Sequence, residues 1–344
     1  MSTGHDSSSD RARIADIDAE ISKLERSPRI LRSERDIIWE RLDQYPVLTL
    51  PSEIVSEIFL KFIPVYPSCP PMMGIHSPSH LMRICRQWRD IALSTPQLWR
   101  AISTRTPVML ERTARKYARL VRTWLVRSGS CPLSIQLDYT FLSFAEDSLQ
   151  AILPHSSRWE YISHIIRCPS TRRLVSAAPD APRLRAATLW DCKYASGYLP
   201  WCQLTSLTLM YKSYAECAAI LKETINLVHC RMRLIINGDE DCEADVNLPC
   251  LETLALDCTA PSVLGSFVVP SLHRLQVAGH LIIHHPSGEL SSFIAKSGCK
   301  LQELCIIGRS VIEIENAYRK ALSFIPSLSF AREFKWDNIL DDEE

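Results

Sequence analysis

The sequence predicts an α+β protein, with a helical N-terminal part followed by an irregular α/β solenoid of parallel strands and helices. Apolar residues recur at helical spacing through roughly the first third of the chain. From about residue 131 the pattern changes to short Leu-x-x-Leu-x-Leu segments. Their first leucines are separated by steps of 20, 23, 24, 21 and 29 residues. This spacing is typical of units that each contribute one strand and one helix or irregular segment.

Composition excludes several classes of protein. The 344 residues allow two or three domains, and they carry 39 basic against 39 acidic side chains. Residues 1–130 hold 20 Lys/Arg and 14 Asp/Glu, and the remainder holds 19 and 25. This mild polarity is far from the dense basic face of a nucleic-acid-binding protein, so no nucleic-acid partner is expected.

No apolar run reaches the length of a transmembrane helix, and the opening MSTGHDSSSD lacks the apolar core of a signal peptide. We therefore expect a cytoplasmic and/or nuclear protein with no membrane partner. In such a reducing compartment the 13 cysteines are expected to be free and to fill the core.

Residues 1–10 are polar and are predicted to be a disordered tail. Residues 11–45 are predicted to be helical, with Pro28 breaking or restarting the helix. Two interpretations stay open, a coiled-coil oligomerisation arm and a helix or hairpin packed on its own domain. Two short halves favour the second. The apolar positions in approximate heptad phase are Ile14, Ile17, Ile21, Leu24, Leu31, Ile38 and Leu42.

Residues 46–105 hold two short helical patterns separated by a Pro-rich insert, Pro64 to Pro78, which is predicted to be a covered loop. The segment offers apolar side chains for burial and no reactive groups, which favours an adaptor over a catalyst. The apolar residues of the first helix are Ile54, Val55, Ile58, Phe59 and Phe62. Those of the second are Leu81, Ile84, Cys85, Trp88 and Ile91, followed by Pro96 and Leu98-Trp99.

This segment resembles an F-box, and more narrowly the F-box-like group of mushroom-forming fungi. The matching pieces are Pro46 to Ile54, Pro64 to Pro71, Ser77 to Leu81, Ile84 to Ala92 and Pro96 to Trp99. The resemblance implies docking on the Skp-type adaptor of a cullin-based ubiquitin ligase, where other subunits carry out the transfer. The docking residues it implies are Leu50, Pro51, Ile54, Ile58, Phe59, Trp88, Leu98 and Trp99, and the last three either contribute to docking or hold the module together. The alternative is an interaction scaffold of the same fold that binds no Skp, because the insert is longer than in a compact F-box.

Residues 106–130 are predicted to form a linking amphipathic helix capped at Gly129. Its basic face suits acidic partners or phosphates, but a solvated face is favoured because no aromatic residues interleave with the basic ones. The apolar positions are Leu110, Ala114, Tyr117, Val121 and Trp124; the basic ones are Arg112, Arg115, Lys116, Arg119 and Arg122.

Residues 131–340 resemble a degenerate leucine-rich-repeat domain. The copies begin at Leu184, Leu204, Leu251, Leu272 and Leu301, with a weaker one at Leu227 and further units expected near 158–168 and at Ile325 to Leu328. The family's Asn or Cys slot holds Cys192 in one copy and Lys212, Thr259, His280 and Arg309 in others. We therefore expect an irregular arc of parallel strands. Convex-side helices are expected at Ala215 to Ile225, Ser291 to Lys296 and Glu313 to Phe324.

A client protein is expected to bind the side chains between the apolar repeat positions. The candidates are Arg185, Thr188, Thr205, Thr208, Glu252, Thr253, His273, Gln276, Gln302 and Glu303.

No catalytic or cofactor motif accompanies these features. The chain has no phosphate-binding glycine loop, no nucleophile elbow and no zinc-protease motif. His280, His284 and His285 lack a supporting Cys or carboxylate, and the acidic run Gly238 to Asp245 lacks the spacing of a calcium loop. We therefore expect no enzyme activity, no metal and no cofactor.

Overall fold

The computed structural model describes residues 6–43, 46–104, 111–139, 145–166, 181–190, 199–235, 245–258, 260, 262–282, 286–308 and 315–334. The chain forms two compact units, Met1–Ile58 and Phe59–Glu344. The boundary falls inside a helix of the predicted 46–105 segment, so it coincides with none of the boundaries expected from sequence.

The first unit begins with one long helix, α1 (Asp6–Asp43). The predicted break at Pro28 is wrong, because the helix continues through that residue. Proline removes a single backbone donor and crowds the preceding turn, and the many other bonds of a 38-residue helix remain. The predicted disordered tail is also too long, since Asp6 to Asp10 are helical, and a hairpin is excluded. A 3-10 turn, Pro46–Thr49, and the start of α2 (Ser52–Phe62) complete the unit.

The second unit opens with short helices and the amphipathic helix expected from sequence. Helix α4 is capped by Cys85, whose Sγ accepts a hydrogen bond from the Trp88 backbone at 3.4 Å. Helix α5 ends where Gly129 takes a positive φ of 54°, the left-handed cap predicted for it. The elements are α3 (Pro78–Leu81), α4 (Arg86–Leu93), a 3-10 turn (Pro96–Trp99), α5 (Glu111–Arg127), α6 (Ala145–Ile152) and a 3-10 segment (Leu153–Arg158).

The centre of the second unit is a ten-stranded sheet in which every pairing is parallel. The predicted parallel arrangement is thereby confirmed. Its strands are β1 (Ala101–Ser103), β2 (Leu133–Tyr139), β3 (Trp159–Ile166), β4 (Ala186–Trp190), β5 (Ser206–Lys212), β6 (His229–Leu234), β8 (Thr253–Asp257), β10 (Arg274–Ala278), β11 (Glu303–Ile307) and β12 (Ser327–Ala331). They lie side by side in chain order. Strands β7 (Val246–Asn247) and β9 (Phe267–Val268) form a separate pair.

The apolar repeat positions form continuous rows across the sheet. One row contains Leu207, Cys230, Leu254, Leu275, Leu304 and Leu328, and the next contains Leu209, Met232, Leu256, Val277, Ile306 and Phe330. All but the two residues of β12 are buried. Because side chains alternate along a strand, these rows place the core on one face of the sheet and leave a second face, here called the polar face.

In five of the copies the first leucine closes a turn that starts the strand. The backbone N–H groups of Leu184, Leu204, Leu227, Leu251 and Leu272 each donate to the carbonyl three residues earlier, at 3.1–3.2 Å. Each of these leucines is buried. One side chain therefore anchors the core while its backbone satisfies the turn.

Four helices lie between strands: α7 (Tyr214–Leu221), α8 (Ser262–Gly265), α9 (Pro286–Ser297) and α10 (Glu315–Ala321). Helices α7, α9 and α10 are the predicted ones with shifted bounds, and α8 was not predicted. Helix α7 begins with a full capping box between Ser213 and Glu216. Just before it, Tyr211 bulges from β5 with φ 59°. The bulge turns Lys212 into the core, where it is only 2% exposed. Lys212, which fills the slot where the predicted repeat would hold Asn, is thus a buried residue.

The ten described cysteines are all free, in line with the expectation for them. Four are buried, but Cys202 and Cys250 are exposed. The expectation of core cysteines is wrong for those two.

Candidate interaction surfaces

Helix α2 has two adjacent apolar rows, one of which is buried and the other exposed. Val55 and Phe59 are each 1% exposed, whereas Ile54 is 49% and Ile58 45% exposed. Residues four apart lie on the same side of a helix, so each pair is one row. Pro51 is exposed and Leu50 half-buried at the start of the same helix. We call Pro51, Ile54 and Ile58 the α2 row; it is apolar and open.

Phe59 and Trp88, both predicted to dock, contact each other instead. Their rings meet edge to face with centroids 5.0 Å apart. Phe59 is fully buried and Trp88 half-buried. The buried Trp88 Nε1 has no acceptor among the described residues. Since a fully buried side chain presents no surface to a partner, Phe59 is removed from the predicted docking set, and the pair fixes α4 to the end of α2.

Leu98 and Trp99 are also core residues, so the structure corrects their predicted place on the docking surface. Trp99 donates from Nε1 to the Ala92 carbonyl at 2.9 Å. Its ring meets Trp124 of α5 edge to face at 5.4 Å, and the Arg127 guanidinium lies 4.5 Å from its centroid. Burial there lowers the pKa of Arg127. These contacts tie α4 to α5.

The Pro-rich insert lies on the polar face of the sheet, as the predicted covered loop. The Tyr66 hydroxyl donates to Glu160 Oε2 at 2.9 Å, and its ring meets Tyr161 edge to face at 5.3 Å. The Arg100 guanidinium stacks 3.7 Å above the Tyr66 ring. Burial, together with the bond to Glu160, raises the pKa of Tyr66. The insert is therefore held by an aromatic ring clamped between a cation and a neighbouring tyrosine.

A second anchor lies deeper in the same loop. Ser134 of β2 donates from Oγ to the Pro67 carbonyl at 2.6 Å and lies 3.9 Å from Cys69 Sγ. Burial raises the pKa of the Cys69 thiol to about 12. Ser134 pairs in register with Tyr161, so both anchors cover the polar face of β2 and β3.

Replacing Ser134 with Ala is expected to lower the free energy of unfolding by about 1 kcal/mol, the typical net contribution of one hydrogen bond, because it leaves the buried Pro67 carbonyl with only the weak Cys69 thiol donor at 3.9 Å. Chemical denaturation measures the loss. The matched control is Ser68→Ala, an exposed serine of the same insert, which is expected to change stability by less than about 0.5 kcal/mol. Equal effects of the two changes would mean that the Ser134 bond does not hold the insert.

The predicted client residues divide into two groups. Those within strands share the polar face and are Thr188, Thr208, Thr253, Gln276 and Glu303. The others lie just before strands, where their carbonyls accept ladder bonds; they are Arg185, Thr205, Glu252, His273 and Gln302. Among the described residues the buried Thr188 hydroxyl has no partner. The structure thus brings the first group together on the polar face and aligns the second at the amino-terminal ends of the strands.

Charged and aromatic residues of the polar face were missed from sequence. Arg233 pairs with Asp257 at 2.7 Å and donates to the Tyr211 hydroxyl at 3.3 Å. Burial acts against the charge of Arg233, but the bonds to Tyr211 and Asp257 raise its pKa overall. Trp190 lies beside Tyr211 with ring centroids 5.7 Å apart. Trp190, Arg233 and Asp257 fall one residue beyond the last apolar position of their copies, and Tyr211 falls two residues beyond its own. Extending the alternation by two residues would have found them.

One further ion pair crosses this face, between Arg274 and Glu303 at 2.8 Å. Glu303, a predicted client residue, is therefore already engaged. The polar face offers paired charges around an aromatic centre.

In the part of the chain that the structure describes, no three His, Cys, Asp or Glu side chains are grouped for a metal ion. His284 and His285 lie outside that part, as does most of the acidic run ending at Asp245. No helix within it has the length and apolar character needed to cross a bilayer.

In comparisons with known proteins, no family model matches the chain, and no curated protein matches it.

Proposed function

We propose that this chain is a non-catalytic substrate-recognition adaptor of a Skp–cullin–F-box ubiquitin ligase. It docks on a Skp-type adaptor through the α2 row and binds a client protein through the polar face. The observation that carries the proposal is the asymmetry of α2, whose Ile54 and Ile58 are half exposed while Val55 and Phe59 are buried.

An exposed apolar row beside a buried one is expected of a docking helix. The buried row holds the helix, and the open row supplies the few apolar anchors that dominate a protein interface. Pro51 and Ile54 of the row belong to the Leu-Pro-x-Glu-Ile segment on which the resemblance to F-box proteins rests, and Ile58 lies one turn beyond it.

The proposal also includes the kind of repeat from which the ten-stranded sheet is built. We infer that the ten-stranded sheet is a degenerate leucine-rich-repeat arc. Its support is the in-register rows of apolar residues, the turn closed by the first leucine of successive copies, and the buried Lys212 in the Asn slot.

The client would bind the polar face from β4 onward, since the insert already covers β2 and β3. Trp190, Tyr211 and Arg233 form the centre of that surface. Aromatic and Arg side chains are the commonest anchors of protein interfaces. The adaptor would then raise the local concentration of client near the recruited transfer enzyme.

A second candidate is a scaffold that binds no Skp. It is favoured by the insert, which bonds directly to the sheet, and by the Phe59–Trp88 contact, in which one of the expected docking residues is buried. In that case the α2 row would serve another protein.

Co-purification of the full chain with a fungal Skp adaptor and its cullin tests the proposal. The wild-type chain is expected to capture both, and the Pro51→Ala plus Ile54→Ala double variant to capture neither while staying folded by circular dichroism. Failure of the wild type to capture Skp would favour the second candidate, the scaffold that binds no Skp. Undiminished capture by the folded double variant would place docking elsewhere on the chain.

A further inference from the structure

Helix α1 carries an apolar seam that the single chain leaves open. The seam consists of Ile14, Ile17, Ile21, Leu24, Leu31 and Ile38, each between 43 and 66% exposed. The helix is continuous over 38 residues, which corresponds to about 57 Å at 1.5 Å per residue. A helix with an apolar stripe gains most of its stability by packing that stripe against a neighbour.

The seam follows a heptad. Ile14 and Ile21 occupy a positions, and Ile17, Leu24, Leu31 and Ile38 occupy d positions. β-branched residues at a with leucines among the d positions favour two strands. The next a positions hold Pro28 and Arg35, and the Arg35 guanidinium forms an ion pair with the Asp36 carboxylate at 2.8 Å. A polar a residue lowers stability but helps to set register and oligomeric state.

We propose that α1 is a two-stranded coiled-coil arm through which a second copy of this chain binds. The heptad places the same seam on both copies, so one surface supplies both halves of the interface. Helix α1 carries acidic residues at Asp16, Asp18 and Glu20 and basic ones at Arg26, Arg29 and Arg32, so charge of one sign does not run along its length to select an oppositely charged partner.

The exposed apolar area of the seam suits a contact with a second copy of the chain. Half-exposed Ile and Leu side chains each hold tens of Å² of apolar surface, so the seam supplies roughly 300–600 Å² per copy. A standard interface buries about 800 Å² per partner. The aliphatic stems of the flanking Arg, Lys and Glu side chains supply the remainder.

The arm gives the protein two polar faces and two α2 rows in one particle. A client with two recognition segments would then be held by both copies, and the second contact would be intramolecular. This consequence rests on the proposed function; the dimer itself does not.

Sedimentation equilibrium of the full chain tests the arm. The wild type is expected to be a dimer. Ile17→Glu plus Ile21→Glu is expected to weaken dimerisation by about 100-fold or more, because carboxylates from both copies meet in the seam. The matched control is Ala15→Glu plus Ala19→Glu, which adds the same charge to the same helix at exposed positions outside the seam, and it is expected to remain dimeric.

Circular dichroism establishes that all three proteins are folded. A monomeric wild type would overturn the proposal, as would a seam variant that dimerises like the wild type. Equal dissociation of the control would show that charge on α1, rather than its seam, governs association, and would overturn the proposal too. Skp capture by a monomeric seam variant separates this result from the proposed function.

Discussion

Replacing Trp99 with Ala is expected to lower the free energy of unfolding by about 3–5 kcal/mol, the range for truncating a buried aromatic residue. Trp99 is fully buried, and its ring joins α4, Trp124 and the Arg127 guanidinium. The substitution leaves a large cavity and also removes the donor of the Ala92 carbonyl. Denaturant titration followed by tryptophan fluorescence and circular dichroism measures the loss.

Leu93→Ala is the control, since Leu93 lies on the same helix α4 but is exposed. It is expected to change stability by less than about 1 kcal/mol. A Trp99→Ala protein as stable as the wild type would contradict the core position of this residue and restore it to the docking surface. Any loss of Skp capture by Trp99→Ala should scale with the unfolded fraction.

The repeats could be predicted from sequence because their signal is local and recurs. Each Leu-x-x-Leu-x-Leu copy fixes its own strand by alternation, and a common step makes neighbouring strands parallel. Strand β1 had no such signal, because Ala101–Ser103 is only three residues long and all three are buried. Its partner β2 lies some thirty residues later in the chain, so the pairing is a tertiary contact.

The sequence predicts less well which side of α2 is exposed, for a geometric reason. Ile54 and Val55, like Ile58 and Phe59, are consecutive apolar residues, and helical spacing alone cannot say which pair faces the core. The insert is a similar case. Composition identified a Pro-rich loop, but the anchors of Tyr66 and Pro67 are Glu160 and Ser134, far away in sequence.

Pro28 shows the opposite error. A single proline disfavours a helix less than the long helical pattern on both sides of it favours one. The continuous α1 leaves one uninterrupted helix where two short halves were expected, and the coiled-coil interpretation that the predicted break had weakened gains support from it.

Changing Ile54 and Ile58 to Glu is expected to weaken Skp binding by about 100-fold or more, which corresponds to about 2.7 kcal/mol. Both side chains are half exposed in the chain, so the loss would come from the interface, where a buried carboxylate without a partner is costly. Titration of the full chain with purified Skp adaptor measures the affinity, and thermal unfolding is expected to be unchanged.

The matched control is Ile225→Glu plus Ile235→Glu. Those residues are 55% and 44% exposed, against 49% and 45% for Ile54 and Ile58, and they lie in the second unit, outside the α2 row. The control adds the same charge and removes the same kind of exposed side chain, so any general effect on solubility or non-specific association is shared. Unchanged Skp affinity in the α2 variant, or equal weakening by the control, would rule out the α2 row as the docking surface. Selective loss in the α2 variant would assign Skp recognition to one turn of one helix and leave the polar face free to bind the client.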